Sequence, residues 1–233
     1  MNQSEFISEV NLLGITLDNT QLDQLEKYYN LLTEYNKVMN LTAITEKEDV
    51  YLKHFYDSLT LSKIIDLSHE NTLCDLGSGA GFPGIVLKIV FPNLKITLVD
   101  SLNKRINFLN IVIDKLNLKN IETVHCRIEE FSRENCEKYD IVTARAVAPL
   151  NILLELGINL VKVNKYFISM KGNLDTEPNY NSCISKLGLM EVDKIGFELP
   201  KENSKRTLIK FKKISQTPKI FPRKYNDIKK RPL

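Results

Sequence analysis

The sequence predicts an α/β fold, in which a parallel sheet wound with helices follows an N-terminal helical extension. Residues 18–66 repeat apolar side chains at three- and four-residue steps, the period of an amphipathic helix. From residue 72 onward, short runs rich in β-branched residues alternate with helical stretches, which is typical of such a sheet. We therefore divide the chain into a helical extension at residues 1–66, an α/β domain at residues 67–215 and a basic tail at residues 216–233.

The extension carries one apolar helix face and one capping signal. The apolar residues of that face are Leu22, Leu25, Tyr28, Tyr29 and Leu32. The run Thr45-Glu46-Lys47-Glu48 has the form of a capping box, in which Thr45 caps a helix and Glu48 closes the box. We expect helix over most of residues 18–66.

The α/β domain alternates strands and helices in order. Strands are predicted at residues 72–76, 95–99, 121–125, 140–144 and 166–170, and helices at residues 84–91, 103–116 and 151–161. Two later runs, residues 190–197 and 207–212, are predicted to pair antiparallel at the edge of the sheet. The tail contains three prolines among its charges, so we predict an extended arm with little regular structure.

Composition excludes several classes of protein. The four cysteines form no C-x-x-C pair, and the spacing of the cysteines and the three histidines supports neither a disulfide framework nor a metal site. No apolar run approaches the roughly 20 residues of a membrane span, and no leader follows Met1. We expect a cytoplasmic protein without a membrane partner.

The net charge of +3 is distributed unevenly. Residues 201–233 contain 12 Lys or Arg and 2 Asp or Glu, which leaves a net charge of −7 on residues 1–200. Such a basic C-terminal segment is typical either of contact with a polyanionic partner or of a solvated segment that aids solubility. Charge alone leaves both interpretations open.

A glycine-rich turn joins the first predicted strand to the helix after it. The run is Leu73-Cys74-Asp75-Leu76-Gly77-Ser78-Gly79-Ala80-Gly81-Phe82-Pro83-Gly84. Glycines permit positive φ and let a ligand approach the backbone closely, and the helix that follows offers free N–H groups. Asp100 lies 23 residues after Gly77, near the roughly 20-residue interval at which a carboxylate binds a ribose diol. We therefore expect a cofactor that contains adenosine.

Two registers of this turn are open. Residues 79–84 also satisfy G-x-G-x-x-G, which is typical of nicotinamide cofactors. However, Asp75 precedes Gly77 by two residues, and a carboxylate there suits a sulfonium ligand with an amino-acid tail better than a pyrophosphate, which it would repel. The residues favour S-adenosylmethionine and a methyltransferase. A nicotinamide-dependent oxidoreductase and an RNA-binding protein with a vestigial cofactor turn are the alternatives.

Almost the whole chain resembles the bacterial small-subunit ribosomal RNA methyltransferase G family, also called glucose-inhibited division protein B. The motifs that carry the resemblance are Asn36-x-x-x-Asn40-Leu41-Thr42, His54-x-x-Asp57-Ser58-Leu59, the glycine-rich turn, Asp100-Ser101-Leu102-x-Lys104-Arg105-x-x-Phe108-Leu109, Arg145-Ala146, Lys171-Gly172, Phe221-Pro222-Arg223-Lys224 and Lys229-Lys230-Arg231-Pro232-Leu233. The chain departs from the family at Ile128, where alanine or valine is common, and at residues 225–228, where relatives have small residues and glycine.

The resemblance implies a seven-stranded, Rossmann-like class I methyltransferase fold that transfers a methyl group from S-adenosylmethionine to N7 of a guanine in 16S ribosomal RNA. The residues expected to bind the cofactor are Asp75, Gly77, Gly79, Gly81, Phe82, Asp100, Ile128, Glu129 and Arg145. Of these, the resemblance assigns cofactor contact to Gly77 and Phe82 and places Ile128 and Glu129 beside the adenine. No catalytic base is expected, because guanine N7 presents a lone pair without a proton. The rate acceleration is expected to come from alignment of the reacting atoms.

The expected partner is 16S ribosomal RNA or the small ribosomal subunit, bound by a monomer. The residues expected to contact RNA are Arg145, Lys171, Arg223, Lys224, Lys229 and Lys230. Arg145 is the foremost of these, because strand ends in open α/β sheets face the ligand crevice, although a structural ion pair is its competing role. The tail also mixes aromatic with basic residues, a combination that binds phosphates and stacks on exposed bases.

Overall fold

The computed structural model describes residues 1–69, 71–175 and 177–233. Within these residues, seven strands form one sheet in the spatial order β3-β2-β1-β4-β5-β7-β6. The strands are β1 (Thr72–Leu76), β2 (Lys95–Asp100), β3 (Ile121–His125), β4 (Tyr139–Arg145), β5 (Val161–Lys171), β6 (Leu189–Glu198) and β7 (Lys205–Lys213). Strands β1 to β5 run parallel, whereas β7 is antiparallel to both β5 and β6. The predicted α/β fold, with an antiparallel pair at the sheet edge, is confirmed.

The strand order reverses beside β1. The chain moves outward from β1 to β3 and then crosses to β4 on the other side of β1. In open α/β sheets, ligands bind at the carboxyl ends of the strands next to such a switch point. The glycine-rich turn after β1 and the loop after β4 both lie there.

Helices cover both faces of the sheet. They are α1 (Gln3–Leu12), α2 (Asn19–Met39), α3 (Lys47–Val50), α4 (Asp57–Leu59), α5 (Gly84–Val90), α6 (Asn103–Lys115), α7 (Ile128–Glu134), α8 (Leu150–Gly157), α9 (Asn181–Leu187) and α10 (Tyr225–Lys230). Successive residues of β1 face opposite sides: Leu73 belongs to the core under α1, α2, α5 and α6, and Cys74 to the core under α7, α8 and α9. The extension therefore shares its hydrophobic core with the sheet. Nowhere in the three described ranges does a helix combine the length and the hydropathy that a membrane span requires.

The predicted helix over residues 18–66 is interrupted by a loop at residues 40–46. Helix α2 ends at Met39, and Asn40 adopts a left-handed conformation with φ 48°. The Asn36 side-chain oxygen accepts hydrogen bonds from the backbone N–H groups of Leu41 (2.6 Å) and Thr42 (2.9 Å). Because this side chain takes the place of a helical carbonyl, the chain can leave the helix without orphaned donors.

The predicted capping box at Thr45 is wrong. Helix α3 begins at Lys47, and its N-cap residue Glu46 makes no side-chain capping bond. Thr45 thus lies one residue outside the cap position. Capping boxes instead begin α1 and α2, where Asn2 pairs with Glu5 and Asp18 with Gln21.

A π-helical turn at Tyr51–Tyr56 links α3 to α4, and a 3₁₀ turn at Thr60–Lys63 follows. π-Helical turns are rare, and those that do occur are often found at functional sites. This one carries Lys53 and His54 toward the carboxyl ends of the strands. The extension thereby supplies side chains to the crevice of the sheet.

Two boundaries differ from the prediction in the second half of the chain. Helix α8 ends at Gly157, and β5 begins at Val161 after a single 3₁₀ turn, so the predicted helix over residues 151–161 is too long. The prediction of a tail with little regular structure is wrong for its last part, where α10 forms. Ile228 of α10 is completely buried, and α10 packs against α8. This apolar contact stabilises the helix and is not evident from the tail's basic composition.

Candidate functional site

The glycine-rich turn is fixed to the neighbouring strand by backbone hydrogen bonds. The N–H groups of Gly77 (2.8 Å) and Ser78 (3.1 Å) both donate to the carbonyl of Val99 in β2. Gly77, Gly79 and Gly81 have φ values of 65°, 60° and 103°, a region that favours glycine. A Cβ atom added to Gly77 would lie 2.7 Å from Val147 Cγ2. Glycine is therefore required at Gly77 both by conformation and by the close approach of the loop after β4.

Asp75 lies beneath this turn and is completely buried. One carboxylate oxygen accepts a hydrogen bond from the N–H of Gly84 (3.0 Å), and within the described residues the other oxygen has no hydrogen-bond partner. Burial raises the pKa of Asp75 to about 7. Asp75 lines neither of the two cavities described below, so its visible role is to bind the end of the turn to β1.

Asp100 stands at the carboxyl end of β2, as expected from its spacing. Its carboxylate accepts hydrogen bonds from the N–H groups of Gly79 (2.9 Å) and Leu102 (2.9 Å) and pairs with the Arg105 guanidinium (3.2 Å). An ionised carboxylate offers about four lone-pair positions. One acceptor position is therefore left for a ligand hydroxyl.

A cavity of about 280 Å³ opens at these strand ends, and we call it the small cavity. Four of the residues predicted to bind a cofactor line it, namely Gly77, Asp100, Ile128 and Glu129. The remaining lining residues are Ser101, Arg105, Arg127, Ala146, Val147, Ala148, Leu156 and Tyr225. The turn after β1, the end of β2 and the start of α7 thus meet around one space, although they are distant in sequence.

A second cavity of about 560 Å³, the large cavity, lies on the other side of the loop after β4. Two further predicted residues, Arg145 and Lys171, line it. The other lining residues are Ile44, Lys53, His54, Asp57, Thr60, Ala146, Val147, Ala148, Met170, Gly172, Glu177, Phe197, Arg206 and Leu208. The loop residues 146–148 line both cavities, so this loop is the wall between them.

Arg145 is held by the extension. Its guanidinium donates to the Asp57 carboxylate (3.0 Å), to the carbonyl of Lys53 (3.0 Å) and to His54 Nδ1 (3.2 Å). Its Cζ also lies 5.3 Å from the centroid of the Phe82 ring. The competing interpretation of Arg145 as a structural ion pair is therefore realised in the structure, at a position that also lines the large cavity.

His54 completes this network in its neutral form. Burial and then the Arg145 charge lower the pKa of His54 to about 3. Because Nδ1 accepts from Arg145, the ring proton is on Nε2, which lies 2.9 Å from the Thr42 hydroxyl. Asp57, only 4% exposed, also accepts from Arg206 (3.0 Å). Sequence reasoning did not assign a role to His54 or Asp57, although their spacing of three residues on one helical segment was a usable signal.

Phe82 faces the extension rather than a cavity. Its ring stacks on His54, with centroids 4.3 Å apart and an angle of 15° between the planes, and lies 5.4 Å from the ring of Tyr28. Phe82 is buried and lines neither cavity. Gly79 and Gly81 also line neither cavity. For these three residues, a direct contact with a cofactor stays a prediction.

Besides Arg145, two further predicted RNA-contacting cations are bound within the protein. Lys171 Nζ donates to the carbonyl of Ala148 (2.6 Å) and pairs with Glu177 (2.7 Å). Arg223 pairs with Glu155, which is completely buried in α8. Both charges are therefore compensated, unlike those of the exposed Lys224, Lys229 and Lys230, which make no ion pair within the described part of the chain.

Comparison with known families gives a direct match. Residues 21–187 match the family model described as rRNA small subunit methyltransferase G. The chain is 47% identical over 237 residues to the "Ribosomal RNA small subunit methyltransferase G" of Lysinibacillus sphaericus (strain C3-41), with 100% of both chains covered. It is 48% identical over 237 residues to the protein of the same name from Bacillus licheniformis, with 100% of this chain and 99% of that protein covered.

Solved structures confirm the fold. The 16S rRNA (adenine(1408)-N(1))-methyltransferase from Catenulisporales acidiphilia superposes with a TM-score of 0.53 at 15% identity, covering 65% of this chain and 88% of that chain. A SAM dependent methyltransferase from Aquifex aeolicus superposes with a TM-score of 0.51 at 19% identity, covering 71% of this chain and 93% of that chain. The predicted class I methyltransferase architecture is confirmed.

Proposed function

The chain belongs to the rRNA small subunit methyltransferase G family, and we propose that it transfers a methyl group from S-adenosylmethionine to N7 of a guanine in 16S ribosomal RNA of the small subunit. The observation that carries the proposal is the pair of cavities at the topological switch point, separated only by the loop residues 146–148. A donor in one cavity and an acceptor in the other would border the same three residues, so their reacting ends would lie next to this loop.

The small cavity is the proposed site of S-adenosylmethionine. Its volume of about 280 Å³ is just below the roughly 300–1,000 Å³ of small-molecule pockets. Gly77 lines the cavity without a side chain, and a Cβ atom there would lie 2.7 Å from Val147 Cγ2. Asp100 keeps acceptor capacity for a ribose hydroxyl, and Ile128 and Glu129 lie on the side expected for the base.

When bound, the cofactor supplies an electrophilic methyl group on a sulfonium centre. Guanine N7 offers a lone pair without a proton, so the protein needs no general base. His54 agrees with this, because it is neutral and both of its ring nitrogens are engaged with Arg145 and Thr42. The protein's contribution is alignment of the two reacting atoms, which is worth about 7–11 kcal/mol when the geometry is good.

The large cavity is the proposed site of the target nucleotide. Its rim carries Lys53, Arg145, Lys171 and Arg206, and apolar residues such as Phe197 contribute to the wall. Each of these cations is paired with a carboxylate, so the rim is polar without a large excess of positive charge. Such a site suits a base inserted from a single-stranded RNA loop.

Neither alternative from the sequence is supported. The matched family and the proteins similar over the full length are methyltransferases, which speaks against a nicotinamide-dependent oxidoreductase and against a vestigial cofactor site. We further propose that the protein acts as a monomer in the cytoplasm, and that the division at residues 66 and 215 separates a substrate-facing extension and a tail from the catalytic core.

The decisive experiment incubates small ribosomal subunits that lack the modification with methyl-labelled S-adenosylmethionine and maps the labelled nucleotide. We expect label at N7 of one guanine of 16S RNA. Label at another atom or nucleotide, in ribosomal protein, or in a small molecule would overturn the assignment. A Gly77→Ala variant serves as the matched negative, because the added methyl group strains the turn and contacts Val147 of the cavity lining without changing any charge.

A further inference from the structure

Tyr225 is the one residue of the C-terminal tail that lines the small cavity. It is half-buried at the start of α10. The same side chain also borders a neighbouring space of about 370 Å³, together with Arg127 and Glu129, which border both spaces. Tyr225 therefore lies between the small cavity and this neighbouring space.

Two anchors fix the tail just before Tyr225. Arg223 donates its backbone N–H (3.0 Å), its Nε (2.7 Å) and its Nη2 (2.6 Å) to the buried carboxylate of Glu155. The carbonyl of Pro222 accepts two hydrogen bonds from the Arg133 guanidinium, at 3.1 and 2.8 Å. After Tyr225, the completely buried Ile228 holds the helix down. The position of Tyr225 is thus set by contacts on both sides of it.

The anchors belong to the two helices that supply walls of the small cavity. Arg133 lies on α7, whose first residues Ile128 and Glu129 line the cavity, and Glu155 precedes the lining residue Leu156 on α8. A segment bound to both helices spans the opening between them. The tail is consequently part of the cavity and not an independent arm.

An S-adenosylmethionine whose ribose is bound by Asp100 would have its base on the side of Tyr225. A carboxylate at the end of the second strand binds the ribose diol, which here assigns the ribose to Asp100. Strand β3 is the outer neighbour of β2, and the residues that follow it, Arg127 to Glu129, lie beyond the ribose site. Tyr225 shares its surroundings with these residues. An aromatic side chain at that position presents a surface for a purine.

We propose that the C-terminal tail closes the adenine end of the cofactor cavity and that Tyr225 contacts the adenine, with Arg223 and Glu155 as the positioning pair. This inference rests on the proposed function, since it assumes that the small cavity binds S-adenosylmethionine. It assigns to the tail a role in cofactor binding in addition to any contact with RNA.

The test measures, by calorimetry on the full chain, the dissociation constants of S-adenosylmethionine and of adenosine. Removing an aromatic contact to a base, as in Tyr225→Ala, weakens binding of both ligands by about tenfold. Tyr225→Phe keeps the ring and stays within about twofold of the unmodified chain. Ile220→Ala is the matched control, because it removes an apolar side chain from the same tail at a position that is 71% exposed. Its affinities and its Tm remain unchanged.

The outcomes separate this inference from the proposed function. If the unmodified chain does not bind S-adenosylmethionine, the proposed function fails. If it binds and Tyr225→Ala binds equally well, only the role of Tyr225 is overturned. A loss of affinity for S-adenosylmethionine without a loss for adenosine, or a loss confined to RNA, also overturns it. Equal losses for both ligands with an unchanged Tm establish it.

Discussion

The Arg223 guanidinium and backbone N–H together donate three hydrogen bonds to Glu155, a carboxylate with no exposed surface. The sequence presents Arg223 as one cation of a basic tail, whereas the structure makes it the counter-ion of a buried acid 68 residues away. The tail is therefore attached to α8. Among its cations, Arg223 is an anchor, whereas Lys224, Lys229 and Lys230 are exposed.

Replacement of Arg223 by alanine leaves the buried Glu155 carboxylate without its counter-ion. Removing one partner of a buried pair costs about 3–5 kcal/mol, and because Arg223 remains 27% exposed we expect about 2–3 kcal/mol of lost unfolding free energy. Urea unfolding measures the change. The neighbouring Lys224→Ala removes an exposed charge and changes the unfolding free energy by less than about 0.5 kcal/mol. Equal stabilities of the two variants would show that the pair does not anchor the tail.

Three alanine substitutions of glycine separate conformational strain from steric blockage. At Gly196, which has no positive φ and free space around it, alanine leaves S-adenosylmethionine affinity unchanged. Gly79→Ala adds only the strain of a positive φ and destabilises the protein by about 1 kcal/mol. Gly77→Ala adds strain and a contact of 2.7 Å with Val147, so cofactor affinity falls most, by more than about tenfold. Calorimetry measures the affinity of each variant for S-adenosylmethionine, and urea unfolding measures its stability. The expected affinity is highest for Gly196→Ala, lower for Gly79→Ala and lowest for Gly77→Ala. A Gly77→Ala variant with unchanged affinity contradicts the small cavity as the cofactor site.

The neutral His54 makes the stability of the protein depend on pH. Its pKa is about 3 in the folded state against an ordinary value of 6.5, so the unfolded chain binds more protons between these values. The contribution of His54 to stability is complete above pH 6.5 and is lost progressively as the pH falls toward 3. Asp75 acts in the opposite direction, because its pKa is raised to about 7 and its protonation favours the folded state below that pH.

The His54 contribution is isolated by comparison with His54→Gln, which retains Asp75 and the other carboxylates. Between pH 7 and pH 5, the unmodified chain should lose about 2 kcal/mol more unfolding free energy than the variant does. Urea unfolding at the two pH values measures this difference. A difference near zero would mean that the His54 ring is protonated in the folded protein at pH 5.

The exposed tail cations are expected to contribute to RNA binding through counter-ion release. Lys224, Lys229 and Lys230 replaced together by alanine should reduce the slope of log Kd against log salt by about 2–3, since each phosphate contact contributes about 0.7–0.9. Filter binding of a 16S RNA fragment at several salt concentrations measures the slope, and S-adenosylmethionine affinity should be unchanged. The control replaces Lys115, Lys119 and Lys138, exposed lysines that lie outside both the extension and the tail. Similar slopes for both triple variants would exclude the tail as an RNA-contacting surface.

Local patterns were sufficient for the strands of the parallel sheet. Short β-branched runs predicted each strand of the parallel sheet, and the spacing from Gly77 to Asp100 predicted the acid at the end of β2. These features repeat over a few residues, so the sequence carries them directly. The helices α1, α7, α9 and α10, each of 6–10 residues, were not predicted; for α10 the stabilising contact is its packing against α8, which local spacing does not record.

By itself, the sequence determined the α/β fold and the family. Only the tertiary structure decided which charges are paired within the protein. Arg145 pairs with Asp57 across 88 residues, and Arg223 pairs with Glu155 across 68. The local sequence around a lysine or arginine does not show whether its partner is a phosphate or a buried carboxylate. The distinction depends on which elements pack together, and packing is set by the sum of long-range contacts that no local spacing records.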